Sequence, residues 1–180
     1  MSEAYGDLNA GLDRLYAARF HDEERESKAR LWRVICREFF ARYVPEDACV
    51  VDLGAGYCDF INNIVARRRI AVDLNPDTAR FAAPGVEVHR LPLENLSAAV
   101  EQGSVDLAFA SNVFEHLRGP DALLTVLANV RSALRPGGRI MIMQPNVRLV
   151  GGAFWDFFDH TLPLSERGMT EALDGTSVIL

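Results

Sequence analysis

The chain changes its hydrophobic rhythm near residue 45. Before that point apolar side chains recur at Leu31, Ile35 and Phe39, with Trp32, Phe40 and Tyr43 on the same side. Spacing of this kind is that of a helix laid on a core. It predicts a helical N-terminal extension over residues 1–45, ended by Pro45. After it the rhythm becomes short apolar runs at Cys49–Leu53, Ile70–Leu74, Val86–His89, Val105–Ala110 and Arg139–Met143. Between them lie segments read as helical or partly helical: Tyr57–Arg67, Pro76–Ala82, Glu94–Glu101 and Pro120–Leu134. Strands alternating with helices imply a mostly parallel sheet with helices on both faces. Near-continuous apolar strands fit a sheet buried on both sides. The expected fold is therefore a doubly wound, Rossmann-like α/β domain over residues 46–180, preceded by the helical extension.

Composition narrows this picture. The 180 residues suffice for one domain with a real core, and 49% apolar with 24% charged residues is ordinary for a globular chain. No stretch approaches the roughly 20 apolar residues of a membrane span. The charged first 30 residues do not read as a signal peptide. A cytoplasmic protein is the expectation. A net charge of −6 gives nucleic acid no bulk electrostatic attraction, and Arg67-Arg68-Arg69 reads as a solvated helix end before a strand. Cys36, Cys49 and Cys58 lack metal-ligand spacing and are expected as reduced, buried thiols.

The candidate chemistry sits where strands end. In a doubly wound sheet, ligands bind beyond the carboxyl ends of the strands, near the switch in strand order. The first strand ends at Asp52-Leu53 and runs into Gly54-Ala55-Gly56, where glycine permits positive φ and a close ligand. The helix expected next offers unpaired N–H groups. The second strand ends at Asp73, which lies 19 residues beyond Gly54, a spacing that suits a carboxylate gripping ribose hydroxyls. A dinucleotide fingerprint needs a third glycine where this chain has Asp59. A carboxylate there disfavours a pyrophosphate and tolerates a cationic or zwitterionic ligand.

These segments resemble a known family. "VVDLGAGYCDFI" followed by "IAVDLNPD" is similar to motifs I and II of class I S-adenosylmethionine-dependent methyltransferases. "SVDLAFASNVFEHL" resembles their fourth strand and its loop, and "LRPGGRIMIMQPN" the turn and fifth strand. The resemblance covers about residues 48–146. It implies S-adenosylmethionine as cofactor, with Asp52 and the Gly54-Ala55-Gly56 turn around the methionine moiety and Asp73 on the ribose. Leu74 would pack on the adenine, and Ser111 and Asn112 would line the methionyl end. The family's acidic residue near adenine is replaced by Pro92, leaving Leu93 to cover the ring. The family sheet has seven strands. Here Ser165–Leu173 reads as a helix and "GTSVIL" as the start of a sixth strand, so the last hairpin looks missing or shortened, and a homodimer or a rearranged C-terminus is expected.

Methyl transfer needs a base only if the acceptor loses a proton as it reacts. His116, beyond the fourth strand, and His160, in the aromatic segment "GGAFWDFFDHTLPL", are the candidates. That segment carries Gly151-Gly152 as a hinge and reads either as a lid over the acceptor or as core. Asp156, Asp159 and His160 lack a ligand spacing, and no metal is expected. The acceptor is expected to be a small molecule or glycan methylated on oxygen or nitrogen. Two alternatives stay open: an NAD(P)-dependent oxidoreductase and a non-catalytic S-adenosylmethionine binder.

Overall fold

The computed structural model describes residues 22–176. Its sheet contains β1 (Cys49–Leu53), β2 (Arg68–Asp73), β3 (Val86–Arg90), β4 (Val105–Ser111) and β5 (Leu134–Met143). The strand order is β3-β2-β1-β4-β5, with every pairing parallel. The chain winds outward from β1 through β2 to β3, then returns to the other side of β1 for β4. The order thus reverses between β1 and β4, which fixes where a ligand crevice belongs.

Both faces of the sheet are covered. β1 is buried throughout, with Cys49, Val51 and Leu53 in one core and Val50 in the other. This is the period-two alternation of a strand between two layers. On the first side α2 (Pro120–Ala133) contributes Leu123, Val126, Leu127 and Val130, and α3 (Glu166–Gly175) contributes Met169 and Leu173. On the second side α1 (Asp22–Glu38) contributes Trp32 and Cys36, with Phe40 in the turn that follows it. The Phe60 and Phe109 rings stack there with centroids 3.8 Å apart.

Three expectations need correction. The buried stripe of α1 is Trp32, Cys36 and Phe40, while Leu31, Phe39 and Tyr43 face outward. Two overlapping i, i+4 series run through this segment, one residue apart, and contact with Phe109 decides between them. Residues 57–67 form turns and one 3-10 turn, Ile61–Asn63, rather than a helix. Cys58 takes φ +62, and Asn62 and Asn63 bond their amides to the carbonyls of Phe81 and Asp59 at 2.8 Å each, competing with helical bonding. The arginine run opens β2 rather than closing a helix: Arg68 pairs across strands with Glu87 at 2.8 Å.

The three cysteines are free and buried, and burial pushes the Cys36 and Cys58 thiols up to about 12. Among the described residues no helix is long and apolar enough to cross a membrane. The expected start of a sixth strand falls mainly on residues 177–180, and the first part of the N-terminal extension on residues 1–21. Both lie outside the described residues.

Candidate active site

The ends of β1 and β2 are tied together by the backbone. The N–H groups of Gly54 and Ala55 both donate to the Val72 carbonyl, at 2.8 and 3.3 Å. Gly56 donates to Asp73 Oδ2 at 2.6 Å, and Asn75 donates to Asp73 Oδ1 at 2.7 Å. One carboxylate therefore spans both turns, and Asp73 points into the glycine bend. No α-helix N-terminus follows Gly56, so the unpaired N–H groups expected from one are not offered here, and the turn's own amides are spent on Val72 and Asp73.

The two glycines differ in what they do. A Cβ on Gly54, at φ +71, would lie 2.4 Å from Val113 Cγ2. Its bare side is filled by Val113 from the β4 loop, not by a ligand. Gly56, at φ +51, has nothing within 4 Å of where its Cβ would stand. The open approach to the backbone is at Gly56.

Charge in the crevice is one-sided. Asp52 is buried, and burial, joined by the nearby Asp73 charge, holds its carboxyl well above the usual range. Burial also raises Asp73, against the hydrogen bonds from Asn75, Gly56 and Leu74 and the opposing charge of His116. Two carboxyls that repel each other favour a ligand bearing positive charge. Asp59 turns away to an ion pair with Lys28 of α1 at 3.4 Å. Leu74 is 43% exposed and offers an apolar surface at this corner, whereas Leu93 is buried in the core. An acceptor carboxyl at a strand end, open backbone at Gly56, a second acidic side chain beside it and a free apolar surface together fit a nucleoside joined to a cationic sulfur.

The end of β4 supplies the opposite wall. Ser111 pairs with Met143, and Asn112, at φ +49, donates its N–H to the Met143 carbonyl at 3.0 Å. Glu115 is buried, accepts from Gln144 Nε2 at 2.9 Å, and lends its carbonyl to the N–H groups of Thr161 and Leu162 at 2.8 and 3.1 Å. These bonds seat the aromatic segment on the β4 loop. His116 Nδ1 lies 3.1 Å from the Asp159 carboxylate, and His160 Nδ1 lies 2.6 Å from the Phe154 carbonyl. The two histidine rings meet edge to face, centroids 4.9 Å apart. Phe154, Trp155 and Phe157 surround His160, while Phe158 is 76% exposed. A separate cavity of about 550 Å³ lies against α1, lined by Arg25, Tyr57 and Phe81 among others. It adjoins the glycine turn through Tyr57 but contains neither Asp73 nor the histidines.

Val113 and Gln144 had no signature in the sequence. Val113 acts through a contact with Gly54 made only when β1 and β4 lie side by side, and Gln144 through a bond to Glu115 made only when β4 and β5 do.

The chain is similar to known methyltransferases in sequence and in fold. A family model described as "Methyltransferase domain" matches residues 51–140, from inside β1 into β5. A highly reducing polyketide synthase of Cordyceps militaris is 34% identical over 88 residues, covering 44% of this chain and 3% of that protein. The chain thus spans a small fraction of the length of this curated relative. In fold the chain is similar to a S-adenosylmethionine-dependent methyltransferase from Archaeoglobus fulgidus (TM-score 0.68, 21% identity, 82% of this chain and 68% of that one). It is also similar to one from Thermotoga maritima described as a possible histamine N-methyltransferase (TM-score 0.68, 18% identity, 88% and 77%).

Proposed function

This chain belongs to the class I S-adenosylmethionine-dependent methyltransferases, and on that premise we propose that it methylates an oxygen or nitrogen of a small-molecule or glycan-type acceptor. Bound in the crevice, S-adenosylmethionine supplies a methyl group already activated on a positively charged sulfur. Asp73 would accept the ribose hydroxyls, exchanging its bonds to the Gly56 and Asn75 amides in part for them. Asp52 puts a carboxyl group, whose ionised form a cationic sulfur would favour, behind the Gly54-Ala55-Gly56 turn, Leu74 presents an apolar face to the base, and Ser111 and Asn112 line the far end. The protein's main task is then alignment of the acceptor and exclusion of water. The aromatic segment pinned to Glu115 and Leu117 suits that task, and His116 and His160 are the residues proposed to act on the acceptor.

The observation that carries this reading is the Asp73 carboxylate turned into the bend at Gly56. The oxidoreductase alternative loses its support, because the family match and the missing third glycine point the same way. We also read residues 1–45 as an extension, residues 46–180 as the methyltransferase domain, and the setting as cytoplasmic. A homodimer is supported by β5, which forms an edge of the sheet among the described residues. Thermal melts with S-adenosylmethionine, S-adenosylhomocysteine and NAD test the cofactor assignment. Selective stabilisation by the first two is expected, and stabilisation by NAD alone would overturn it. Binding without methylation across a panel of hydroxyl and amine acceptors would leave the non-catalytic binder.

A further inference from the structure

The fold assembles a ligand set that chain spacing did not reveal. Glu115, His116 and His160 each bring one donor atom, all within 4.8 Å of one another. Only His160 belonged to the trio of Asp156, Asp159 and His160 considered from the sequence, whose spacing gave a metal little support. We propose that Glu115, His116 and His160 bind one divalent transition-metal cation at the carboxyl end of β4.

Tautomers make the argument chemical. The group facing His160 Nδ1 is the Phe154 carbonyl, 2.6 Å away, which can only accept. His116 Nδ1 faces the Asp159 carboxylate at 3.1 Å and the Asp159 carbonyl at 3.3 Å, again acceptors. In the neutral ring both protons therefore sit on Nδ1, leaving the Nε2 lone pair of each histidine as its donor. A second nitrogen bonded to a carbonyl or carboxylate is the usual support of a metal-binding histidine. Glu115 is the matching anionic ligand, its carboxylate held by Gln144 Nε2.

Two orphaned atoms border the cluster. Gln144 Oε1, on the side chain that holds Glu115, and Trp155 Nε1, beside His160, are buried without hydrogen-bond partners. An acceptor and a donor of this kind suit a cation's remaining water or oxygen ligand. Metal–ligand bonds of about 2.0–2.2 Å require the donors to close to about 3–3.5 Å, a movement within the reach of side-chain rotation. Two nitrogens and a carboxylate suit zinc, iron, cobalt or nickel better than magnesium or calcium. Three protein ligands also leave a position open, as sites that handle a substrate do. Resting on the function proposed above, that position would take the acceptor's oxygen and so favour hydroxyl acceptors over amines.

The test uses the full-length, tag-free chain stripped with a chelator and titrated with cobalt(II), followed by visible absorption and calorimetry. One saturable cobalt per chain is expected. His116→Ala, His160→Ala and Glu115→Gln should each weaken binding at least about 10–100-fold, and His89→Ala should not. Glu115→Gln can still accept from Gln144, so it reports loss of the ligand charge if an alanine variant fails to fold. No saturable cobalt, or binding indifferent to all three substitutions, overturns the site. S-adenosylhomocysteine melts on the same samples keep the two proposals apart: cobalt bound without any response to S-adenosylhomocysteine would sink the cofactor reading and leave the metal site standing.

Discussion

Asp73 Oδ2 accepts the Gly56 N–H at 2.6 Å while its other oxygen accepts Asn75, so one carboxylate sets the distance between the β1 and β2 turns. Asp73 therefore has two duties, shaping the crevice and holding a ribose. Asp73→Asn keeps one acceptor oxygen and loses the charge. We expect S-adenosylmethionine affinity to fall by about 1.5–3 kcal/mol, roughly 10–150-fold, the value of a hydrogen bond to a charged group. Calorimetry showing unchanged affinity would remove the ribose assignment.

Gly54 and Gly56 should separate stability from binding. Gly54→Ala drives a methyl group into Val113 and holds a side chain at φ +71. A loss of about 1–3 kcal/mol from overpacking is expected, with about 1–2 more from the left-handed backbone. Adding Val113→Ala should restore part of the melting temperature. Gly56→Ala meets open space and should cost only the backbone strain, yet it places a methyl where the ligand approaches. Its expected signature is a melt lowered by that strain alone, less than for Gly54→Ala, with cofactor binding lost, and equal melts for the two single variants would contradict the distinction.

The layered sheet was legible because buried parallel strands are continuous apolar runs that stop at turns. The strand-end residues Asp52, Asp73, Ser111 and Asn112 were legible with it, since the end of a strand can be read from where such a run gives out. What sequence could not resolve depended on contacts between distant segments. The two superimposed stripes of α1 are equally helical, and only Phe109 selects Trp32–Cys36–Phe40. Residues 57–67 look amphipathic, but the amides of Asn62 and Asn63 find better acceptors outside a helix. His116 and His160 could each be noticed alone. Their meeting depends on the Glu115 carbonyl clamping Thr161 and Leu162.

Asp52 should behave as a residue kept at the expense of stability. Burial, and then the Asp73 charge, raise its carboxyl well above 3.8, and burial raises Asp73 as well. Both groups hold protons more tightly folded than unfolded. Their favourable contribution is complete below about 3.8 and fades as pH rises through the raised folded values. At neutral pH, Asp52→Asn should therefore raise the melting temperature of the free protein, by about 2–4 °C for each kcal/mol relieved. The advantage should shrink as the wild type is acidified and its own Asp52 takes up a proton. Cofactor affinity should fall in the same variant. A lower melting temperature at neutral pH would show that the charged form is stabilised by contacts stronger than its desolvation.

The clamp on the aromatic segment links packing to acceptor handling. Thr161 Oγ1 donates to the Leu117 carbonyl at 2.7 Å, and its backbone N–H donates to Glu115 at 2.8 Å. Thr161→Val keeps shape and volume and removes only the hydroxyl bond, leaving the Leu117 carbonyl short of a partner. About 0.5–1.5 kcal/mol of stability should go with it. Because the crevice at Gly56 and Asp73 is untouched, cofactor affinity should stay level. The acceptor KM should rise, since the segment carrying Trp155 and His160 is then held less firmly over the end of β4. Steady-state kinetics with cofactor and acceptor varied in turn will separate the two, and a variant whose cofactor affinity drops with its acceptor KM unchanged would place this segment over the wrong ligand.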